Sequence, residues 1–237
     1  TIPAKREITI RDLLRHTSGI TYAQIGDDPF NAIYRKNGII CGLGLSNHLL
    51  ADDMKKLGKL PLAHQPGEKF TYGMNVDVLG YLVEIISGMS LDKFFHTRIF
   101  KPLGMKDTFF YLPPEKQDRL ANLYLVDSTG TLRKSPGYFD AGGGDTLYDY
   151  PRAKGTYYAG GAGLSSTIMD YAVFLQMLLN KGEYNGQRLL ARNTVRMMTT
   201  NQLGEISEGA NKFGLGFEIT TESGSALTPA REGTFRS

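Results

Sequence analysis

Few residues in this chain are of a type and spacing that do chemistry. Tyr72 lies in Pro66-Gly67-Glu68-Lys69-Phe70-Thr71-Tyr72-Gly73-Met74-Asn75, a turn running into an apolar helix. Read locally, it is a packing tyrosine at a helix start. Ser90-Leu91-Asp92-Lys93 is a Ser-x-x-Lys match. That spacing puts a hydroxyl and an amine one helical turn apart, so that the amine helps deprotonate the hydroxyl. Here, however, Ser90 follows the helix-stopping Gly88 and is better explained as the N-cap of the next helix, with Lys93 on its solvent face. No Gly-x-Ser-x-Gly elbow and no His-Glu-x-x-His pair occur, and His16, His48, His64 and His96 are widely spaced. An α/β-hydrolase and zinc catalysis are therefore unsupported. Gly142-Gly143-Gly144-Asp145 lacks the strand and helix of a phosphate-cradling loop and reads as loop.

The elements that must position these residues are readable in outline. Thr9-Ile10-Arg11-Asp12 fits a capping box, opening a short helix that Gly19 stops. Residues 20–45 read as a long loop with one short helix near Phe30–Lys36, and Ser46 is expected to cap a helix ending near Gly58. Val78, Leu79, Leu82, Val83 and Ile86 have helical spacing up to Gly88; Leu91, Phe94, Phe95 and Ile99 form the next helix, which Pro102 should end. Residues 121–134 read as a hairpin around Asp127-Ser128-Thr129-Gly130, and 135–165 as a long ordered loop. Thr167-Ile168-Met169-Asp170 is a second capping box, starting an amphipathic helix that Gly182 closes. Residues 193–200 predict a short helix, and Phe213–Thr221 a single strand.

Four segments, in order, resemble one superfamily. Leu13-Leu14-Arg15-His16-Thr17-Ser18-Gly19-Ile20 resembles its Leu-Leu-x-His-Thr-Ser-Gly-Leu signature. The Tyr72 segment resembles its Tyr-x-Asn motif, which follows a Pro-Gly turn and precedes a Leu-Gly-containing helix. Pro102-Leu103-Gly104-Met105-Lys106-Asp107-Thr108 resembles its Pro-Leu-Gly-Met-x-x-Thr turn, and Gly160-Gly161-Ala162-Gly163-Leu164-Ser165-Ser166-Thr167 its Gly-Gly-Leu-x-Ser-Thr helix entry. The chain is thus similar to the middle of a serine β-lactamase-like protein, the superfamily of class C β-lactamases, penicillin-binding proteins and family VIII-type carboxylesterases.

The resemblance implies an α/β (α+β) fold of the β-lactamase/transpeptidase type, a helical lobe beside an antiparallel sheet. It implies that Tyr72 is the general base or proton shuttle. A phenol, whose ordinary pKa is about 10, needs cationic neighbours to act near neutral pH, and the family's lysines supply them. Gln24, Met74 and Asn75 fall at substrate-binding offsets. Met74 stands where β-lactamases have the Asn, which shifts the expectation towards the esterases; Asn75 reads better as a helix cap. His16 matches no catalytic position and is expected to be buried and hydrogen-bonded.

The family's nucleophilic Ser-x-x-Lys precedes the His-Thr-Ser-Gly segment by several dozen residues, whereas fifteen residues precede His16 here, without a serine. Gly233-Thr234-Phe235-Arg236-Ser237 resembles the approach to the Lys-Thr-Gly-like third motif. The expectation is that residues 1–237 are the central part of one β-lactamase-like domain, cut before the nucleophile and at the third motif. The sheet is then incomplete, the piece inactive and prone to self-association. The implied parent is a bacterial serine hydrolase acting through an acyl-enzyme on small esters or β-lactams, without metal or organic cofactor. The alternatives are a D-Ala-D-Ala carboxypeptidase and a catalytically inactive penicillin-binding-protein-like module.

Composition adds exclusions. At 237 residues and 41% hydrophobic, the chain can bury a substantial core. A net charge of +3 with scattered Lys and Arg makes no case for nucleic acid as a partner. Cys41 is the single cysteine, so no intrachain disulfide forms, and no apolar run is long enough to cross a bilayer.

Overall fold

A computed structural model of the chain describes residues 2–23, 29–39, 48–135, 138–140, 145–147 and 150–236, with backbone alone at 138–140, 145–147 and 150. Gln24, Cys41, Ser46 and residues 142–144 lie outside these.

The first helix, α1 (Ile10–Leu14), begins on the expected capping box. Thr9 Oγ1 accepts from the Asp12 amide at 3.1 Å and Asp12 Oδ2 accepts from the Thr9 amide at 2.9 Å. The buried Asp12 carboxylate also takes Arg6, Arg15 and Thr17 as donors. Burial alone would raise its pKa; the hydrogen bonds from Arg6, Thr9 and Thr17 outweigh burial and hold it far below the usual carboxylate range. Next come α2 (Phe30–Lys36) and α3 (Leu50–Leu57), the latter ending at Gly58. Then α4 (Asn75–Ser87) ends on Gly88 in the left-handed conformation (φ 65°) that favours glycine. Helix α4 packs against both α1 and α3. Leu13, Ile20, Tyr34, Leu50, Met54 and Met74 lie in the core they enclose.

Two expectations about the next helix need correction. Ser90 is at the N-cap of α5 (Leu91–Phe95), but its side chain makes no cap bond; Glu84 Oε1, from α4, accepts the Leu91 amide instead at 2.9 Å. Nor does Pro102 end the helix. The chain runs through a π-turn at His96–Phe100 into α6 (Lys101–Leu103) and stops only at Gly104 (φ 73°). A π-turn frees backbone groups that a proline cannot pair, so the proline is absorbed rather than helix-breaking.

The strands β1 (Tyr124–Val126) and β2 (Leu132–Lys134) form the expected antiparallel hairpin, and β3 (Tyr138–Asp140) pairs with β4 (Asp145–Leu147) inside the expected long loop. Helix α7 (Ile168–Leu179) starts at Thr167, whose hydroxyl accepts the Asp170 amide. Half of that capping box is diverted: Asp170 Oδ2 accepts from the Asp107 amide (2.7 Å) and the Thr108 hydroxyl (2.9 Å), tying α7 to the Pro-Leu-Gly-Met turn. After the β5–β6 pair (Glu183–Tyr184 and Gln187–Arg188) comes α8 (Arg192–Met198).

Residues 213–221 are not one strand. They fold into β7 (Lys212–Phe213) and β8 (Glu218–Ile219), joined through Gly214-Leu215-Gly216, with Gly216 at φ 87°. The turn is anchored from outside: the Leu215 amide donates to Met198 and the Gly216 amide to Leu14. A short α9 (Glu222–Ser225) precedes β9 (Phe235–Arg236), which pairs antiparallel with β8. Helices α6, α7 and α8 and this three-stranded sheet enclose a second core, with Phe100, Met177, Leu178, Val195, Phe217 and Ile219. No helix among the described residues is long and apolar enough to cross a membrane.

Candidate active site

The segment carrying Tyr72 is bolted to the chain that follows α1. The Gly67 amide donates to Thr17 O (2.7 Å), the Thr71 amide to His16 O (2.8 Å) and the Met74 amide to Thr21 O (3.2 Å). Gly73 lies so close to Ile20 that a Cβ there would collide with its carbonyl, so only glycine permits this approach. The phenol of Tyr72 is 55% exposed, while its ring rests on His16 (centroids 4.8 Å apart) and Tyr22 (5.5 Å).

His16 is buried, and its hydrogen bonds fix its tautomer. The Ile20 amide donates to Ser18 Oγ, so the Ser18 hydroxyl donates onward to Asn75 Oδ1. That leaves the Asn75 amide nitrogen to donate to His16 Nδ1 (3.1 Å) and Ile20 O (3.4 Å). The Gly73 amide also points at His16 Nδ1. Nδ1 is therefore the acceptor and Nε2 carries the hydrogen. Burial pushes the His16 pKa down to about 4, so the ring is neutral at ordinary pH. His16 is a neutral platform beneath Tyr72, in keeping with its expected structural role.

Tyr72 and His16 open on a cleft of about 960 Å³. Six phenylalanines, Phe70, Phe95, Phe100, Phe174, Phe213 and Phe217, line it. Gly160 and Gly161 run along it, pressed on the start of α4; a Cβ on Gly160 would collide with the Val76 carbonyl. Beneath them Asp77 is fully buried, accepting from the Gly161 amide through Oδ1. Burial raises its pKa to about 7. Ser166 also lines the cleft, but its hydroxyl is shared with Thr108 (2.8 Å) and Met169, not a lysine, stands three residues on.

The cleft also holds charges, of which only Arg236 lay in a segment resembling a family motif. Arg236 forks onto Glu218 (2.8 and 3.1 Å) across β8 and β9. Glu208 faces the same space, its pKa raised to about 7 by burial and then by the charge of Glu218. Strand pairing sets Glu218 opposite Arg236, and Glu208 reaches the same cleft from outside those strands.

Of the residues expected at the site, Tyr72 lines the cleft. Met74 and Asn75 have no exposed surface and point into the core. Asn75 does not cap α4 either; it links Ser18 to His16. Gln24 lies outside the described residues. Ser90 and Lys93 do not line the cleft. No group of His, Cys, Asp and Glu suited to hold a metal occurs among the described residues.

This arrangement places an exposed phenol at the edge of a large, mainly apolar cleft. The β-lactamase family model matches residues 1–236. The chain belongs to the β-lactamase family. Its superfamily is one of serine hydrolases, and its fold is the expected β-lactamase/transpeptidase type. Protein Rv1367c of Mycobacterium tuberculosis is 34% identical over 219 residues, covering 92% of this chain and 50% of that protein. A putative D-alanyl-D-alanine carboxypeptidase of Escherichia coli K12 is 30% identical over 236 residues, covering 97% and 50%. In structure, EstCE1, a hydrolase with promiscuous acyltransferase activity, superimposes with a TM-score of 0.77 at 27% identity, covering 95% of this chain and 60% of that one. The chain thus spans about half the length of the curated relatives it matches.

Proposed function

We propose that these residues are the tyrosine-bearing part of a serine hydrolase that works through an acyl-enzyme, with Tyr72 as its general base. The observation that carries this reading is a half-exposed phenol at an apolar cleft, its ring held by the buried, neutral His16. In this reading a Ser-x-x-Lys serine from the remainder of a longer protein attacks the acyl carbonyl. Tyr72 takes the serine proton and returns it to the leaving group. Water then attacks the acyl-enzyme by the reverse proton route. The ring of phenylalanines receives the acyl chain.

A small carboxylic ester is the favoured substrate. An apolar wall suits an acyl chain, and the likeness to EstCE1 supports the same class. The name of the Escherichia coli relative favours a second reading, a D-Ala-D-Ala carboxypeptidase. A terminal carboxylate needs a free cation, however, and Arg236 in the cleft is already committed to Glu218. The test is turnover of a p-nitrophenyl ester and of nitrocefin by the full-length protein, with Tyr72→Phe alongside. The expected loss of kcat is roughly a hundredfold or more. An active protein whose Tyr72→Phe variant is equally fast removes Tyr72 from the mechanism. A full-length protein that turns over neither substrate favours the inactive ligand-binding module.

A further inference from the structure

A second cavity, of about 440 Å³, shares Phe100 and Thr108 with the Tyr72 cleft but has a different character. Its wall is built of Phe109, Phe110, Tyr111 and Tyr158, with Asp92 among them. The Tyr158 ring meets Phe110 and Tyr111 at steep angles, 65° and 64°, with centroids 5.3 and 5.9 Å apart. Tyr111 is fixed in turn, since its hydroxyl donates to Tyr157 O at 2.9 Å and packs hard against Gly155, where a Cβ would collide with it. Tyr111, Tyr158 and Phe110 are therefore held against one another before any ligand arrives.

Asp92 supplies the charge. One of its carboxylate oxygens, Oδ1, is sheltered from solvent and has no hydrogen-bond partner among the described residues. An acid in the first turn of α5 suits the helix dipole. The dipole does not account for a sheltered oxygen without a partner in a residue that lines this cavity. Among its nearest neighbours is a second acid. Glu84 lies within electrostatic reach, its pKa raised by burial and by Asp92. The Tyr158 phenol is raised by burial, then by Asp92 and Glu84. Lys154 and His96 reach the cavity as exposed side chains, and Lys154 makes no ion pair among the described residues.

We propose that this cavity binds a small organic ammonium ion, with Asp92 as counter-ion and the rings of Tyr158, Tyr111, Phe109 and Phe110 around its alkyl groups. Several rings with one carboxylate are the chemistry that recognises an alkylated nitrogen cation, whose charge is spread and weakly hydrated. A hard metal ion needs many more oxygen ligands than this wall offers. An anion meets Asp92, and a neutral ligand leaves the sheltered oxygen unpaired. The π-turn at His96–Phe100 contributes both His96 and Phe100 to this wall, and such turns are frequent at functional sites. The site is separate from the chemistry assigned to Tyr72, and its test does not depend on turnover.

The experiment is a titration of the protein with choline, followed by calorimetry and by the amide NMR signals of Gly155 and Tyr158. Beside it runs the neutral carbon isostere, in which a tert-butyl group replaces the trimethylammonium. Choline is expected to saturate and shift both signals, with the isostere at least about tenfold weaker. Asp92→Asn should weaken choline by a similar factor of at least about ten. Lys154→Ala should tighten it, because a competing cation leaves the rim. Equal binding of the two probes, no saturation with choline, or an unchanged Asp92→Asn affinity overturns the proposal. So does weaker choline binding on Lys154→Ala. If circular dichroism finds Asp92→Asn unfolded, the ratio of the two probes on the unaltered protein and the Lys154→Ala result decide.

Discussion

The two cores of the molecule bury different things. Among the described residues, nine buried polar side chains belong to the region of α1 to α4, from Asp12 to Asp77, and three to the rest: Thr108, Asp170 and Thr220. The first core is tied by directional bonds, as in the Ser18–Asn75–His16 chain that supports Tyr72. The second, around Met177, Leu178, Val195 and Phe217, is held by shape and apolar contact. Hydrogen-bonded cores fix positions, whereas apolar cores tolerate exchange of similar volumes. The half that carries Tyr72 is built to hold one geometry; the other half is built to fill space.

The largest expected break in this contrast comes from pH. The folded pKa of Asp77 is raised to about 7, so its contribution to stability is complete below its unfolded pKa and is lost as pH rises through 7. For His16 the folded pKa is depressed to about 4, so its contribution is present above about 6.5 and is lost as pH falls towards 4. The two oppose each other between these limits. Asp77→Asn removes one side, so between pH 7 and 4 the variant should lose about 3.5 kcal/mol more stability than the unaltered chain. Urea titrations at the two pH values measure this, and parallel changes in both proteins would show that Asp77 does not titrate there. Next in size is Asn75→Ala, which strands Ser18 Oγ and Ile20 O and deprives His16 of a donor in the buried network. It should cost roughly 3 kcal/mol in urea unfolding. A loss below about 1 kcal/mol would mean that the polar core is not stiff in the way described.

These losses bear on what the amino-acid order reveals. The polar region was legible through one local cap and through the signature shared with the family. Thr9 and Asp12 cap a helix three residues apart, and His16-Thr17-Ser18 sits beside its partner strand of chain at Tyr72. Legibility failed wherever a local signal had a distant competitor. Asp170 looked like a capping acid but gives its oxygen to Asp107 and Thr108. Phe213–Thr221 looked like one strand, yet Met198 and Leu14 capture the amides of Leu215 and Gly216 and bend it into a hairpin. Asn75 looked like a cap and is a linker in the core. The pairing of Glu218 with Arg236 left no local signal, because β8 and β9 bring the two together across sequence, and Glu208 joins them only in the folded cleft.

The smaller effects sharpen the same contrast. Met177→Leu, a swap of similar volume in the apolar core, should cost less than about 1.5 kcal/mol in the same urea assay. A larger loss would show that this core is as shape-specific as the other is bond-specific. Smallest is Tyr72→Phe, whose hydroxyl makes no hydrogen bond among the described residues and which is 55% exposed. Its stability should stay within about 0.5 kcal/mol of the unaltered chain, so that a loss of turnover in the full-length protein reads as chemistry rather than unfolding.

The π-turn at His96–Phe100 has a consequence for how this part of the molecule tolerates insertions and deletions. It is one residue of slack in an otherwise regular rod. Removing that residue would let the rod close to ordinary winding with its two ends still facing as they do, whereas adding or removing one in the regular winding would swing everything upstream by about 100° relative to Phe100. Because Phe100 is a wall shared by two cavities, such a change outside the turn would alter the angle between them. Length variation among relatives should therefore collect in the exposed β1–β2 hairpin or at this turn, and avoid the regular winding on either side of it.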